Sequence, residues 1–288
     1  QVLLAERVFC DVLAEAEKQG PAYVGIACMA AALLGEALYE LNNVDASLRL
    51  LEERIEVLER VSIPDTVLRA LVVLASAHWF AGRRIEAYDC LERLEDYAKG
   101  HGVDRLLANA LCLRSRWLLE EGRLDEAGTA LLRCEALAAR YDGAVRSTAW
   151  EIQVCAELAR IRMCLHLNDF DGAMTRLKPL SAISEAGGRW CRVARLRMQM
   201  SNAEKGRHND RAAREHLVEA LRLGHRLGLM RRLLDELGEG RQVLDALPLE
   251  QGFDPVLAFH AQRLIDAGQE TAPGESQTTA VHVTFQSL

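Results

Sequence analysis

The sequence predicts an all-α superhelical solenoid made of antiparallel helix hairpins. One phrase, EGRLDEAGTALL from residue 121, combines a turn with a helix start and recurs along the chain. Each copy has a small residue and, four positions later, a leucine: Ser47/Leu51, Ala87/Leu91, Ala127/Leu131, Ala173/Leu177 and Ala213/Leu217. The copies are offset by about 40, 40, 46 and 40 residues, which is typical of a helical repeat. Because one hairpin cannot bury its apolar face alone, the hairpins are expected to stack.

The repeat length is compatible with two kinds of solenoid. Tetratricopeptide units have about 34 residues, whereas HEAT and armadillo units have about 40–47. The tight turn and the small anchor residue favour tetratricopeptide-like hairpins whose helices are lengthened by about one turn. HEAT-like packing is the alternative.

The breaks in the apolar periodicity place each helix in order. Gly20-Pro21 ends a first helix over 1–19, Asn42-Asn43 forms the first hairpin turn, and Pro64 begins the second hairpin at a position that tolerates proline. We expect Pro179 to kink or break its helix. The predicted hairpins pair 22–41 with 45–61, 65–81 with 84–99, 103–121 with 124–141, 144–167 with 170–186, and 189–205 with 209–227.

The repeat pattern changes after Gly228. Short helices near 230–237 and 240–247, followed by a helix over 254–267, predict a segment that caps the solenoid. We therefore assign 1–267 to one helical-repeat domain with capping helices from about 228. Residues 268–288 are rich in Gly, Ser, Thr and Gln and are interpreted as a linker.

Composition narrows the classes of partner. Half of the residues are hydrophobic but only 5% are aromatic, which suits a helical protein, and the net charge of −7 argues against a non-specific grip on nucleic acid. Because no uninterrupted run of 18 apolar residues occurs, no membrane-spanning helix is expected.

The eight cysteines include no C-x-x-C pair and are interpreted as reduced structural residues, with disulfides or a redox sensor as the alternative. Because the chain begins with Gln1, we expect it to be a segment of a larger protein.

The motifs of several enzyme and cofactor classes are absent. The chain has no phosphate-binding G-x-x-x-x-G-K-[ST] loop, no G-x-G-x-x-G, no H-E-x-x-H and no zinc-type Cys/His spacing. We expect no enzyme activity, no catalytic residue, no metal ligand and no cofactor in this chain. A buried carboxylate or histidine cluster in a closed pocket would favour the rival interpretation, a helical enzyme.

The first helices of the later hairpins carry repeated arginines. Arg114 and Arg116 align with Arg160 and Arg162 at the 46-residue offset, and such helices usually line the concave face of a solenoid. An arginine-rich groove would suit an anionic or hydroxylated ligand or an acidic peptide. Alternatively, the arginines pair with neighbouring carboxylates and the tryptophans fill gaps between repeats. The candidate ligand-binding residues are Asn109, Arg114, Trp117, Gln153, Glu157, Arg160, Arg195, Gln199 and Asn202.

Three features of the sequence resemble one protein family. The GRLDEA-type turns, the segment LGLMRRLLDELGEGRQVLDAL over 227–247 and the ending Phe285-Gln286-Ser287-Leu288 are similar to the helical-repeat domain of large, MalT-like LuxR-family transcription regulators. In this chain Leu234-Asp235-Glu236 is followed by leucine before glycine, one residue away from the commoner form. The resemblance implies that an ATP-binding module precedes the domain and a DNA-binding helix-turn-helix follows the linker.

The resemblance therefore implies an effector-sensing and oligomerisation domain of a cytoplasmic transcription regulator. Its partners would be a small-molecule inducer or a regulatory protein, further copies of itself, and DNA only through the other module. No contact with a membrane is expected. The alternative is a scaffold of the same fold that binds peptides or partner helices in its groove.

Overall fold

The computed structural model describes residues 1–141, 147–238, 241–247 and 252–269, in which the fold is an all-α solenoid of antiparallel helix hairpins. A single turn of 3-10 helix, Pro21–Tyr23, precedes the second helix. The α-helices are α1 Val2–Lys18, α2 Val24–Glu40, α3 Val44–Glu52, α4 Ile55–Val61, α5 Pro64–Phe80, α6 Arg84–His101, α7 Asp104–Glu120, α8 Leu124–Ala138, α9 Thr148–His166, α10 Phe170–Ala186, α11 Trp190–Gly206, α12 Asp210–Leu227, α13 Arg231–Leu234, α14 Arg241–Ala246 and α15 Pro255–Gln269.

The repeated small residues lie where two helices of a hairpin approach most closely. All five, from Ser47 to Ala213, are completely buried. In two hairpins a serine of the first helix donates a hydrogen bond to the carbonyl of the anchor, Ser115 to Ala127 at 3.2 Å and Ser201 to Ala213 at 2.8 Å. Because a larger side chain would separate these backbones, the small residue sets the hairpin's packing distance.

The hairpin turns repeat the same backbone conformation. Each contains one residue with positive φ at the same place in its repeat: Asn42, Gly82, Gly122, Asn168 and His208. Glycine adopts this left-handed conformation without a steric penalty, and asparagine and histidine tolerate it better than most residues. The conserved turn geometry explains why five different turn sequences produce equivalent hairpins.

Several helix boundaries differ from the sequence-based expectation. The predicted helix over 45–61 is divided into α3 and α4 by a turn at Glu53-Arg54. The predicted break at Pro179 does not occur, because α10 continues through this proline as one helix, and the kink offered as the other expectation stays a prediction. The predicted linker over 268–288 begins too early, because α15 continues to Gln269. The rest of that linker and the predicted start of a helix at residue 144 fall on residues outside those described.

One helical stretch, Pro21–Glu40, is long and apolar enough to cross a membrane when only length and composition are considered. Glu36 and Glu40 interrupt its apolar run, so it does not contain the uninterrupted 18 apolar residues required in the sequence analysis. In the fold this stretch packs against α1, α3 and α5. Several of its buried residues belong to the hydrophobic core, including Ala31 and Ala32, which are fully buried.

The capping helices close one end of the solenoid and also meet its beginning. Leu233, Leu244 and Leu264 join residues of α11 and α12 in one buried apolar cluster, against which Val2 of α1 also packs. Val2 lies so near Gly228 that a Cβ atom at that glycine would approach the Val2 side chain to 3.3 Å. The superhelix therefore curves until its first helix touches its cap.

A buried histidine in the cap is expected to make its stability depend on pH. His260 is 4% exposed, and its Nε2 has no hydrogen-bond partner among the described residues. Burial, followed by the positive charges of His225 and Arg263, lowers the pKa of His260 to about 4. Because the folded pKa lies below the unfolded value of about 6.5, this histidine's stability contribution is present above pH 6.5 and declines as the pH falls towards 4.

We expect the free energy of unfolding to fall by about 2 kcal/mol between pH 7 and pH 5 through protonation of this histidine. His260→Leu should largely remove that pH dependence, and urea unfolding at the two pH values measures it. An unchanged pH dependence in the variant would assign the acid sensitivity to other groups.

Candidate ligand-binding cavity on the concave face

The first helices of four hairpins converge on one cavity of about 630 Å³. We call this inner surface of α5, α7, α9 and α11 the concave face. The cavity is covered on one side by residues 231–238, which we call the strap. Its lining combines charged and apolar side chains: Trp79, Phe80, Arg84, Arg116, Leu119, Glu120, Arg162, Leu165, His166, Phe170, Gln199, Asn202, Arg231, Leu234, Asp235 and Glu236, together with Gly238.

At one end the strap is attached to the first hairpin. Tyr39 donates a hydrogen bond to Asp235 Oδ2 at 3.1 Å, and Arg231 Nη1 donates one to Asn42 Oδ1 at 3.1 Å. Arg232 forms ion pairs with Glu36 and, at 2.7 Å, with Glu40. These contacts join residues nearly 200 positions apart in sequence and hold the strap across the opening.

At the other end the strap inserts Glu236 between α9 and α11. The carboxylate accepts hydrogen bonds from Arg162 Nη2 at 2.6 Å, Arg195 Nη2 at 2.5 Å and Gln199 Nε2 at 2.6 Å. Asn202 Nδ2 donates to the main-chain carbonyl of Glu236 at 3.0 Å. We call these four residues, Arg162, Arg195, Gln199 and Asn202, the carboxylate cradle.

Electrostatics keeps Glu236 ionised in this setting. Its side chain is only 4% exposed, and burial alone would raise the pKa of the carboxyl group. The positive charges of Arg162, Arg195 and Arg116 outweigh burial and hold the pKa of Glu236 well below its usual range. The cradle therefore holds Glu236 as a carboxylate anion.

The opposite wall of the cavity is aromatic. Trp79 stacks on Trp117 with 4.6 Å between ring centroids and 3° between planes, while the Arg84 guanidinium covers its other face at 3.5 Å. Glu120 accepts hydrogen bonds from Trp79 Nε1 at 2.9 Å and from Arg116 Nε at 2.7 Å. Together these contacts present a rigid polar edge to the cavity beside the apolar side chains.

A pair of cysteine thiols lies behind the cradle. Arg162 Nη1 donates to Cys112 Sγ at 3.4 Å. A hydrogen bond with Cys155 and the charge of Arg162 together lower the pKa of Cys112 despite burial. All eight cysteines of the chain are free thiols. Among the described residues, no group of three or more His, Cys, Asp and Glu side chains could hold a metal ion.

Three of the nine residues selected from the sequence meet in the cradle: Arg195, Gln199 and Asn202. They lie at positions i, i+4 and i+7 of α11 and so share one helix face. The cradle holds the chain's own Glu236, and their contact with an exogenous ligand stays a prediction.

Three other selected residues form ion pairs away from the cavity. Arg114 Nε lies 3.0 Å from Glu95, and Arg160 Nε donates to Glu135 at 2.7 Å. Glu157 pairs with Arg176 at 3.0 Å. The contacts of Arg114 and Arg160 match the alternative interpretation of the sequence, in which arginines of the first helices pair with carboxylates of neighbouring helices.

The remaining three selected residues have structural contacts. Trp117 is 1% exposed and packs in the core beneath Trp79. Asn109 donates to the carbonyl of Arg105 at 2.8 Å, and Gln153 donates to the carbonyl of Tyr141 at 2.9 Å. None of the three lines the cavity described above.

The selection omitted two arginines that do face the cavity. Arg116 and Arg162 occupy equivalent places in consecutive repeats, 46 residues apart, and both line the cavity wall. Two residues along a helix rotate a side chain by about 200°, so Arg114 and Arg160 point to the opposite side. Asn202 lies 40 residues after Arg162, which is the offset between the anchors of these two repeats. Comparison of equivalent positions in the two repeats therefore indicates Arg162.

Comparison with known proteins supports the fold. No protein-family model matches the chain, and no curated protein matches it. Among solved structures, the chain is similar to the crystal structure of BtubC (BKLC) from P. vanneervenii, with a TM-score of 0.52 and 13% sequence identity. The superposition covers 79% of this chain and 92% of that one. At this level of identity the similarity shows a shared helical fold and nothing about ligands.

Proposed function

We propose that this chain is the effector-sensing domain of a MalT-like LuxR-family transcription regulator and binds its effector in the concave cavity. The observation that carries the proposal is the cavity itself, in which four repeats and the strap contribute side chains to one site. Its volume of about 630 Å³ is within the range of small-molecule sites, about 300–1,000 Å³. The sequence resemblance supplies the regulatory context.

The arrangement of the cavity supports a mechanism of sensing. A ligand that contacts α5, α7, α9 and α11 together favours one curvature of the superhelix over others. Because the strap also joins the cap to the first hairpin, a change of curvature alters both ends of the domain. Binding would then shift the population of conformations that meet neighbouring modules or further copies of the chain.

Other parts of the proposal follow from the same context. We infer no catalytic activity in this domain, and we assign ATP and DNA binding to other modules of the regulator. A cytoplasmic location is supported by eight free cysteines, because reducing compartments keep thiols unpaired. Light scattering with and without effector tests the proposed role in oligomerisation.

A thermal-shift screen of sugars, organic acids, acyl metabolites and short peptides tests the binding proposal. A ligand at 100 times its dissociation constant should add about 2.7 kcal/mol of stability. Arg116→Met and Phe170→Ala alter the cavity lining and should abolish or strongly weaken the shift. Arg160→Ala is the matched control, because this arginine pairs with Glu135 away from the cavity.

The result of the thermal-shift screen distinguishes an effector-sensing domain from a protein-binding scaffold. A shift that persists in both cavity variants would contradict the proposed site. If a folded domain gives no shift with any metabolite but binds a peptide, the alternative function, a protein-binding scaffold, is favoured. The strap limits this alternative, since it occupies part of the groove in which a long peptide would lie.

A further inference from the structure

The chain itself demonstrates the chemistry that the carboxylate cradle recognises. Arg162, Arg195 and Gln199 all bind one carboxylate group, and Asn202 binds the carbonyl of the same residue. Two charged donors and one amide donor surround a single anion, which is stronger and more directional than neutral hydrogen bonding. The bound pattern is a carboxylate separated by a short chain from an amide carbonyl.

An empty cradle would be unstable. Within the described residues, Arg162 and Arg195 have no carboxylate other than Glu236 within ion-pair distance. Arg162 is nearly buried, and its Nε already has no hydrogen-bond partner there. Removing the carboxylate without replacing it would leave buried positive charge uncompensated. Glu236 can therefore leave only when another anion takes its place.

A replacement anion can reach the cradle from the cavity. Arg162, Gln199 and Asn202 line the cavity together with the apolar side chains Leu119 and Phe170. Gln199 Oε1 is buried and has no hydrogen-bond partner among the described residues, so a donor group on a ligand that displaces Glu236 would give this oxygen a partner. A ligand seated against the apolar wall would thus present its carboxylate to Arg162, the cradle arginine that lines the cavity.

We propose that the carboxylate cradle is the anion-binding subsite of the concave face, that its ligand carries a carboxylate beside an amide carbonyl, and that Glu236 is its tethered competitor. The inference rests on the proposed function because the ligand enters through the same cavity. Asp235 precedes Glu236 in the strap and is bound by Tyr39. A ligand that displaces Glu236 from the cradle therefore also weakens the link between the cap and the first hairpin. Binding of the ligand's carboxylate and the contact between the cap and the first hairpin are then coupled through the side chain of Glu236.

Titration calorimetry with defined probes tests this competition. The small-molecule probe is N-acetylglutamic acid α-amide. The peptide probe is LLNEL with blocked ends, which is the strap sequence with asparagine in place of its aspartate, so that glutamate supplies the only carboxylate. Each has a control in which glutamine replaces glutamate. Because the probe must displace Glu236 in the wild type, we expect Glu236→Gln to bind both glutamate probes at least about tenfold more tightly.

A second variant guards against misfolding of the first. Tyr39→Phe removes one hydrogen bond to Asp235 and leaves the cradle intact, so it should tighten probe binding by about threefold. Arg195→Met should abolish probe binding in the Glu236→Gln background. The glutamine-containing controls should not bind, since the cradle selects an anion. Binding of only the peptide, or only the small probe, identifies which source of carboxylate the site accepts.

The results distinguish this inference from the proposed function. Equal probe affinity in the wild type, Glu236→Gln and Tyr39→Phe would overturn the competition, as would binding that survives Arg195→Met. An effector that is lost in Phe170→Ala but unaffected by Glu236→Gln leaves the cavity as a site and overturns the cradle. Probe binding by the cradle while the effector screen stays empty supports the subsite and contradicts the sensing function.

Discussion

Glu236→Ala is expected to lower the free energy of unfolding by about 3–5 kcal/mol, the cost of breaking a buried ion pair by removing one partner. The substitution leaves Arg162 and Arg195 without their carboxylate and removes the bond from Gln199. It also removes the side-chain bonds that join the strap to α9 and α11 and leaves the bond from Asn202 to the main-chain carbonyl of residue 236. Urea unfolding followed by circular dichroism at pH 7 measures the change.

Glu215→Ala is the matched control for this prediction. Glu215 pairs with Arg211 on the surface, and its side chain is 61% exposed. Exposed pairs of this kind contribute about 0.3–0.5 kcal/mol, so the control should unfold almost like the wild type. If the two variants lost similar stability, Glu236 would not hold the strap in place.

Trp117→Ala is expected to destabilise the domain by about 3–5 kcal/mol, as large aromatic deletions in cores do. Trp117 is 1% exposed and supports Trp79 from below, with Tyr88 packed edge-on against both rings. Its removal leaves a cavity that the surrounding helices can fill only in part. The same loss should release Trp79 and disorder the aromatic wall of the ligand cavity.

Trp190→Ala provides the comparison within the same chain. Trp190 is 40% exposed at the start of α11, so its truncation should cost about 1 kcal/mol or less. Chemical denaturation of both variants gives the difference. A small loss of unfolding free energy in Trp117→Ala would show that this tryptophan does not support the core. Such a result would favour its predicted role as a ligand-binding residue.

The solenoid could be predicted because its determinants are local and repeated. Ala87, Ala127 and Ala213 recur with a leucine one helical turn later, and each leucine is nearly or completely buried. Such a pattern reports on contacts inside one hairpin, which lie close together in sequence. The turn residues Gly82 and Gly122 follow the same spacing and adopt the same positive φ.

Which residues face the cavity depends on the direction in which each side chain points around its helix. The sequence specifies this direction less directly than it specifies the repeat. Arg114 and Arg116 both belong to an arginine-rich first helix, but only the latter faces the cavity. Apolar residues such as Ala110 and Trp117 surround them, so a simple hydrophobic pattern does not separate the two faces. The distinction comes from the neighbouring helix that each side chain meets.

The strap could not be placed from the sequence because its contacts are distant. Glu236 meets a partner 74 residues away in Arg162, and Asp235 meets one 196 residues away in Tyr39. The segment also lacks the repeat spacing that positions the hairpins. The break in the repeat pattern after Gly228 predicts a capping segment here, and the resemblance to a regulator family covers the same residues, but neither indicates where the carboxylate of Glu236 binds.

A double-mutant cycle between Glu236 and Arg162 tests most directly that the concave face recognises a carboxylate supplied by the strap. The wild type, Glu236→Ala, Arg162→Ala and the double variant are unfolded in urea at pH 7. We predict a coupling energy of about 2–3 kcal/mol, because each single variant leaves the other partner buried and unpaired. A coupling near zero, as expected for the exposed pair Arg211–Glu215, would contradict the account.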